Sequence, residues 1–313
     1  MAYWWVNNKQ THAQEVGGNY LWSPKKKSDG SKSHFYDNMN LARIGDIVFA
    51  YADGEIRAIG VVTAPATTST KPEEFSSVAI NWSNEGWYLP VDFVKLSQTI
   101  RPKSHINQIA PLLPHKYSPL QPNGNGNQAA YLSSISDSLG NFLIGLVNDT
   151  TLYLRLQSVG RSAEIDLLDN QAELELRNQK NIPETEKEQL IKARIGQGIF
   201  RSNVENLEKS CQVTGITQKE HLRGSHIKPW RDSNNYERLD GNNGLLLSPH
   251  VDHLFDKGFI SFENDGKLII SQYLDTNILT AWHINPDIQV DKFRPEQFCY
   301  LEYHRNNILQ KAK

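Results

Sequence analysis

The first 157 residues alternate short apolar runs with turn-forming residues, a period that predicts strands rather than long helices. GDIVFAYADGEIRAIGVVTA (45–64) holds two such runs, and Asp53-Gly54 between them predicts a hairpin turn. INWSNEGWYLPVDFVKL (80–96) predicts a further strand pair punctuated at Asn84-Glu85-Gly86. The polar stretch QPNGNGNQAAYLSSIS (121–136) predicts a loop entering a short helix. The pattern then changes. EIDLLDNQAELELRNQKN (164–181) and the segment from Ile182 to Ser210 predict helices, broken at Gly196-Gln197-Gly198. Pro183 suits a first helical turn and is followed by acidic residues, while Glu188 and Lys192 stand four apart in the favourable order.

From Cys211 onward the pattern is compact α+β. RGSHIKPW and NGLLLS predict strands. Ser248-Pro249 opens a short helix that Gly258 closes, and GFISFENDGKLIIS predicts a hairpin around Asn264-Asp265-Gly266. The chain divides on this reading into a mostly β domain over 1–157, a helical linker over 158–195 and an α+β domain over 196–313.

Composition narrows the class. With 38% apolar residues the chain can bury cores, so wholesale disorder is excluded. No run of eighteen apolar residues predicts a membrane span. The start MAYWWVNNKQ lacks the basic and apolar regions of a signal peptide, and two cysteines supply no disulfide framework. A reducing cytoplasmic setting is expected. Cys211 has no second cysteine near it to complete a zinc site and reads as a buried thiol. The 33 basic and 35 acidic residues give a net charge of −2. A nucleic-acid ligand would therefore need local basic patches or a pocket rather than a broad cationic face.

Six of the ten histidines follow Cys211, and SPHVDHLFDKG (248–258) crowds His250, Asp252, His253 and Asp256 into seven positions. Phosphodiester cleavage needs a base to activate water, a cation to neutralise charge on the scissile phosphate, and rigid positioning. His226, on a predicted strand fixed by Pro229 and Trp230, is the candidate base. Asp252 and Asp256, four apart on one helix face, are candidate carboxylate ligands for Mg²⁺ or Mn²⁺. Asn243 can donate and accept together and so can tie the loop between the two strands. Arg223, Lys228 and Arg231 flank the base and are candidate phosphate contacts.

The pattern CQVTG, GSHIKPW and NNGLLLSPHVDHLFDKGFISF resembles the HNH nuclease family over roughly residues 194–305. The resemblance implies a ββα-metal domain in which His226 is the general base, Asn243 the middle asparagine, and Asp252 a metal ligand with Asp256 a second one turn on. His250 and His253 are alternative ligands or phosphate contacts. Many family members place Asp or His just before the base; here that position is Ser225, a poor cation ligand.

The N-terminal half holds five of the seven tryptophans. YWWVN, YLWSPK, GDIVFAY and NGNGNQAAYL resemble the EVE domain of the PUA-like superfamily over about 1–140, which implies a small β-barrel that takes a modified base into a pocket. Joined to an HNH domain, the resemblance implies a modification-dependent restriction endonuclease acting on double-stranded DNA that carries 5-methylcytosine or 5-hydroxymethylcytosine. A C5 methyl group offers only a small apolar contact, which an extruded base in an aromatic pocket presents best. Trp22, Pro24, Trp82 and Tyr131 are the candidate pocket walls, and Lys25, Lys26 and Lys27 candidate contacts to the phosphates beside it. One HNH site cuts one strand, so a homodimer is expected for a double-strand break, with the 161–195 helices as its interface. The competing readings are a reader that no longer cleaves and an RNA-directed nuclease.

Overall fold

A computed structural model of the chain describes residues 1–75 and 82–311. They form two compact units, Met1–Glu164 and Ile165–Lys313.

The first unit is built on one curled sheet. Its strands are β1 (Tyr3–Asn7), β2 (Tyr20–Pro24), β3 (Ile47–Ala52), β4 (Glu55–Val62), β5 (Thr67–Thr70), β6 (Glu85–Ile100) and β7 (Leu132–Ile135). The order across the sheet is β2-β6-β4-β3-β1-β7, with β5 also on β6. The sheet is therefore an open half-barrel among the described residues, not a closed barrel. Helices α1 (His12–Gly18), α2 (His34–Asp37), α3 (Ile106–Ile109) and α4 (Asp137–Val147) lie between strands or after the last one. β1 runs parallel to β3, between it and β7. Its continuous apolar run follows from burial on both faces: Tyr3 and Trp5 enter one core cluster, Trp4 and Val6 another.

The Asp53-Gly54 hairpin forms as its residues predict, joining β3 to β4 with φ of 53° and 86° at the turn. Two other expectations change. Glu85-Gly86 is no turn, because β6 runs unbroken from Glu85 to Ile100 and bends to pair β2 and β5 at one end and β4 at the other. Of the expected preceding strand, residues 80 and 81 lie outside the described residues and Trp82–Asn84 are not in a strand. The loop through Asn127 enters β7 rather than a helix, since the free edge of β1 offers a backbone ladder to Leu132–Ile135. Helix α4 starts only afterwards, where Ser136 Oγ accepts from Leu139 N at 3.2 Å.

The second unit begins within α5 (Thr150–Asn178), at Ile165, and continues through α6 (Glu184–Arg194) and α7 (Gly198–Leu207). Antiparallel β8 (Arg223–His226) and β9 (Gly244–Leu247) follow, then α8 (Pro249–Asp256), a hairpin of β10 (Ile260–Phe262) and β11 (Leu268–Ile270), α9 (Thr276–Ala281) and α10 (Phe298–Tyr303). The helical segment expected as a linker contributes to this unit's core: Leu176, Leu190 and Ala193 are buried with Phe200, Trp230 and Leu246. Among the described residues no helix is long and apolar enough to cross a membrane.

Candidate active site

Two short strands and one helix carry the expected chemistry. β8 pairs β9 with His226 opposite Gly244, which brings Asn243 beside the end of β8. The His226 ring stacks on Phe200 of α7, 3.7 Å between centroids and 5° from parallel. Its Nε2 lies 3.0 Å from the Arg238 carbonyl oxygen. A carbonyl only accepts, so Nε2 carries the proton and Nδ1 keeps its lone pair. Burial, chiefly, lowers the histidine pKa from 6.5 to about 4, with Arg238 lowering it further and the carbonyl contact opposing. The ring is neutral at physiological pH.

Asn243 is fully buried and spends its whole amide inside the protein. Its Oδ1 accepts from Lys228 N at 2.8 Å, and its Nδ2 faces the carbonyls of Lys228 and Glu237 at 3.1 and 3.0 Å and Ser233 Oγ at 3.3 Å. It is thus a positioning residue: by holding the Glu237 carbonyl it fixes the next residue, Arg238, whose own carbonyl orients His226. The Gly196-Gln197-Gly198 break has a similar local cause. Gly196 has φ 65°, and a Cβ there would collide with the Gly224 carbonyl of β8.

Asp252 and Asp256 of α8 line the same open cleft as His226, about 780 Å³ in volume, together with Ser225, Asp169 of α5 and Arg231. Arg223 Nη1 lies 3.3 Å from Asp252 and Lys257 Nζ 3.4 Å from Asp256. Desolvation in the cleft raises the Asp256 carboxyl; Lys257 opposes this, Asp169 and Asp252 add to it, and Arg231 again opposes. His250 and His253 do not join them. Both rings instead meet Trp282 edge-on, at 5.7 and 6.4 Å. Ser248 sits at the N-cap position of α8, but its hydroxyl faces Cys211 Sγ at 3.7 Å instead of capping.

Among the described residues no three His, Cys, Asp or Glu side chains are gathered into a ready ligand group. The donor set around the cleft is nonetheless of the right kind: two carboxylates one turn apart with a third nearby, hard oxygen donors suited to Mg²⁺ or Mn²⁺.

The expected phosphate contacts divide. Lys228 pairs with Glu237 at 2.7 Å, and the nearly buried Arg231 pairs with Asp169 at 2.8 Å. Both are engaged inside the domain, where they brace it. Arg223 keeps 63% of its side chain in solvent. In the first unit Lys25 is held by Glu85 at 2.5 Å and lies 4.6 Å from the Trp87 ring centre, while Lys26 and Lys27 are exposed.

The aromatic residues expected as pocket walls are mostly interior. Trp22 is completely buried, its Nε1 donating to Ser69 Oγ at 3.0 Å, and Pro24 is buried in β2. Tyr131 is buried with its hydroxyl donating to Glu15 at 2.5 Å. The reason is a polar network no local pattern announces: the fully buried Glu15 also accepts from Trp22 N at 3.0 Å and Asn8 Nδ2 at 2.8 Å. Trp82 is half-buried and stacks on Trp22 at 6.1 Å and 17°, with Phe75 edge-on to both.

Three contributors escaped the sequence reading. Phe200 under His226 and Asp169 beside Arg231 come from helices whose local pattern marks only amphipathic or charged faces. His304 is the third: its ring stacks on Phe255 of α8 at 3.9 Å, Nε2 donates to the Phe255 carbonyl and Nδ1 accepts from Ser261 Oγ. Burial lowers its pKa to about 3, so it is a neutral brace for α8 and not a reactant.

A strand pair with an oriented histidine, a structural asparagine, and a short helix presenting carboxylates to a cleft define a ββα nuclease domain. Residues 211–263 match the family described as HNH endonuclease, so the chain carries an HNH endonuclease domain there. A comparison with curated proteins gives no match. Three solved structures are similar to the N-terminal region. The NMR structure of Rpa0253 from Rhodopseudomonas palustris is 14% identical, covers 47% of this chain and 94% of its own, and has a TM-score of 0.32. A crystal structure from Pseudomonas putida is 11% identical, covers 47% and 99%, and has a TM-score of 0.32. Human THYN1 protein in complex with 5-methylcytosine containing DNA is 11% identical, covers 48% and 99%, and has a TM-score of 0.31.

Proposed function

We propose that the chain is a metal-dependent, modification-dependent DNA endonuclease of the type IV restriction kind. Its second unit hydrolyses phosphodiester bonds, and its first binds DNA carrying 5-methylcytosine or 5-hydroxymethylcytosine with the modified base extruded. The observation that carries the reading is the cleft geometry: a tautomer-fixed His226, whose Nδ1 forms no hydrogen bond among the described residues, lines the same cleft as Asp252 and Asp256.

His226 Nδ1 takes a proton from water as the oxygen attacks phosphorus, the P–O3′ bond breaks, and the 3′ oxygen leaves. The approaching phosphate anion raises the histidine pKa toward a useful value, because a negative charge beside the ring favours imidazolium. Asp252 and Asp256, with Asp169 near them, would hold a divalent cation. That cation supplies charge neutralisation at the phosphate and the leaving oxygen. Phe200 and the Arg238 carbonyl keep the ring from turning, and Arg223 is a cation with a solvent-exposed side chain to meet a phosphate. The modified-base reading rests on the sequence resemblance of residues 1–140 and on the Tyr20, Trp22, Phe75, Trp82 and Tyr88 cluster, of which Trp82 and Tyr88 are only half-buried. A homodimer is proposed for double-strand breaks, since each chain carries one HNH site.

The test uses Mg²⁺ or Mn²⁺, with EDTA controls, and three DNAs of one sequence: unmodified, 5-methylcytosine and 5-hydroxymethylcytosine. Cleavage of modified DNA alone is expected, falling at least a hundredfold in His226→Ala. Cleavage indifferent to modification would remove the sensor. Selective binding without cleavage in any metal would replace the nuclease with a reader.

A further inference from the structure

The first unit carries an exposed aromatic group that the proposed chemistry does not use. The rings of His34 and Tyr117 lie face to face, 3.9 Å between centroids and 22° between planes. Phe35 meets Tyr117 edge-on at 5.9 Å and 90°, which sets the tilt of the pair. Tyr117 still leaves 53% of its surface in water, and His34 is exposed beside it. With one face against His34 and one side against Phe35, the accessible part of Tyr117 is the remainder of its ring.

The backbone at Tyr117 is strained to place that ring. Among the described residues five non-glycine positions have positive φ, and four are Asn, Asp or His, which tolerate it. The fifth is Tyr117, at 60°. A bulky residue persists in that region only where its surroundings hold it, and such positions gather at ligand-binding sites. The surroundings here are firm. The Pro119 carbonyl accepts from Asn7 Nδ2 and Asn127 N, both at 2.8 Å, and the Ser118 carbonyl accepts from Asn127 Nδ2 at 3.2 Å. Lys116 immediately precedes Tyr117 and Lys32 lies two residues before His34; both are exposed, and neither forms an ion pair among the described residues.

The geometry points to a nucleobase-stacking platform: an unpaired base of a DNA strand lies on the free face of Tyr117 and extends the His34–Tyr117 stack, while Lys32 and Lys116 meet the phosphates on either side. An aromatic face accepts any base, so the platform adds affinity for an opened strand without adding sequence preference, and its two cations make binding salt-dependent. The inference rests on the DNA-cleaving reading proposed above and places a contact apart from the Tyr20, Trp22 and Trp82 cluster.

The test compares the full chain with Tyr117→Gly, Tyr117→Ala and Tyr117→Trp in EDTA, by anisotropy of a labelled single-stranded DNA oligonucleotide and a fully paired duplex. Glycine is the decisive variant because it removes the ring while relieving the positive φ, so the fold is unharmed or stabilised. Tyr117→Gly and Tyr117→Ala are expected to bind the single strand on the order of tenfold more weakly, with Tyr117→Trp near wild type and the paired duplex unaffected. For Tyr117→Gly this comes with Tm unchanged or higher. Unchanged single-strand binding by Tyr117→Gly overturns the platform, as does a Tyr117 dependence seen with an RNA oligonucleotide alone. Cleavage of modified duplex in Mg²⁺, measured in parallel, separates the two readings: intact cleavage with Tyr117-independent binding overturns the platform only, whereas a wild-type chain that neither binds nor cuts DNA overturns both.

Discussion

Asn243→Ala should both destabilise the second unit and slow the nuclease. The side chain is fully buried, and its oxygen accepts from Lys228 N while its two amide protons are shared among the carbonyls of Lys228 and Glu237 and the Ser233 hydroxyl. Three good hydrogen bonds are therefore lost. At about 1 kcal/mol each, with an added penalty for the Lys228 N–H left buried and unpaired, the loss comes to about 3–4 kcal/mol. That is a large part of the stability of an ordinary domain. Asn243→Asp is the sharper variant. It keeps the acceptor for Lys228 N but turns a second oxygen toward two carbonyl oxygens, so it should be at least as damaging as alanine despite its shape. Urea unfolding followed by fluorescence reads the stability, with Trp230 packed in the core of this unit. Turnover of modified DNA reads the site, and at least a tenfold loss is expected as the Arg238 carbonyl loosens from His226. An Asn243→Asp protein with wild-type stability and turnover would refute the assigned donor role and with it the chain of support from Asn243 to His226.

Two further predictions concern protonation. His226 has a folded pKa of about 4 against an ordinary 6.5, so the neutral base persists and the acid limb of kcat/KM should fall near pH 4 in the free enzyme; a limb near 6.5 would contradict the buried setting. Glu15 has the opposite sign. Burial, chiefly, raises its pKa from 4.5 to about 7, against hydrogen bonds from Tyr131, Trp22, Asn8 and Thr11 that lower it. The folded state thus binds more protons than the unfolded chain between those values. Stability is fully present below about pH 4.5 and falls as pH rises through 7, by about 3 kcal/mol in the limit. Thermal melts of the first unit across pH 4 to 8 should show that decline in the wild type and not in Glu15→Gln; parallel curves would refute it.

Much of the second unit was legible because its signals are local. Ser248-Pro249 and Gly258 bracket α8 where its apolar period begins and ends, and Asp252 and Asp256 share a face by spacing alone. His226 on a strand beside Pro229 needed no distant partner to be singled out. The first unit misled where a residue's role depends on what lies opposite. Trp22 and Tyr131 read equally well as pocket or core from sequence. Their burial was decided by Glu15, 116 residues from Tyr131 along the chain. Glu85-Gly86 carries turn residues, yet pairing with β2 and β5 keeps the strand extended through them.

By itself the sequence determined the periodicities, the turn at Asp53-Gly54, the order of elements in the nuclease domain, and the residue types able to cut a phosphodiester. These follow from short-range sterics, capping and helical or strand spacing, which act within a few residues. Only the tertiary structure decided that His226 carries its proton on Nε2 and stacks on Phe200, that Asp169 faces Arg231 from a distant helix, and that His250 and His253 pack their rings on Trp282. Each of those outcomes depends on which surface packs against which. That choice is made by burying the largest apolar area while pairing every buried polar group, a condition on the whole chain that no local stretch contains.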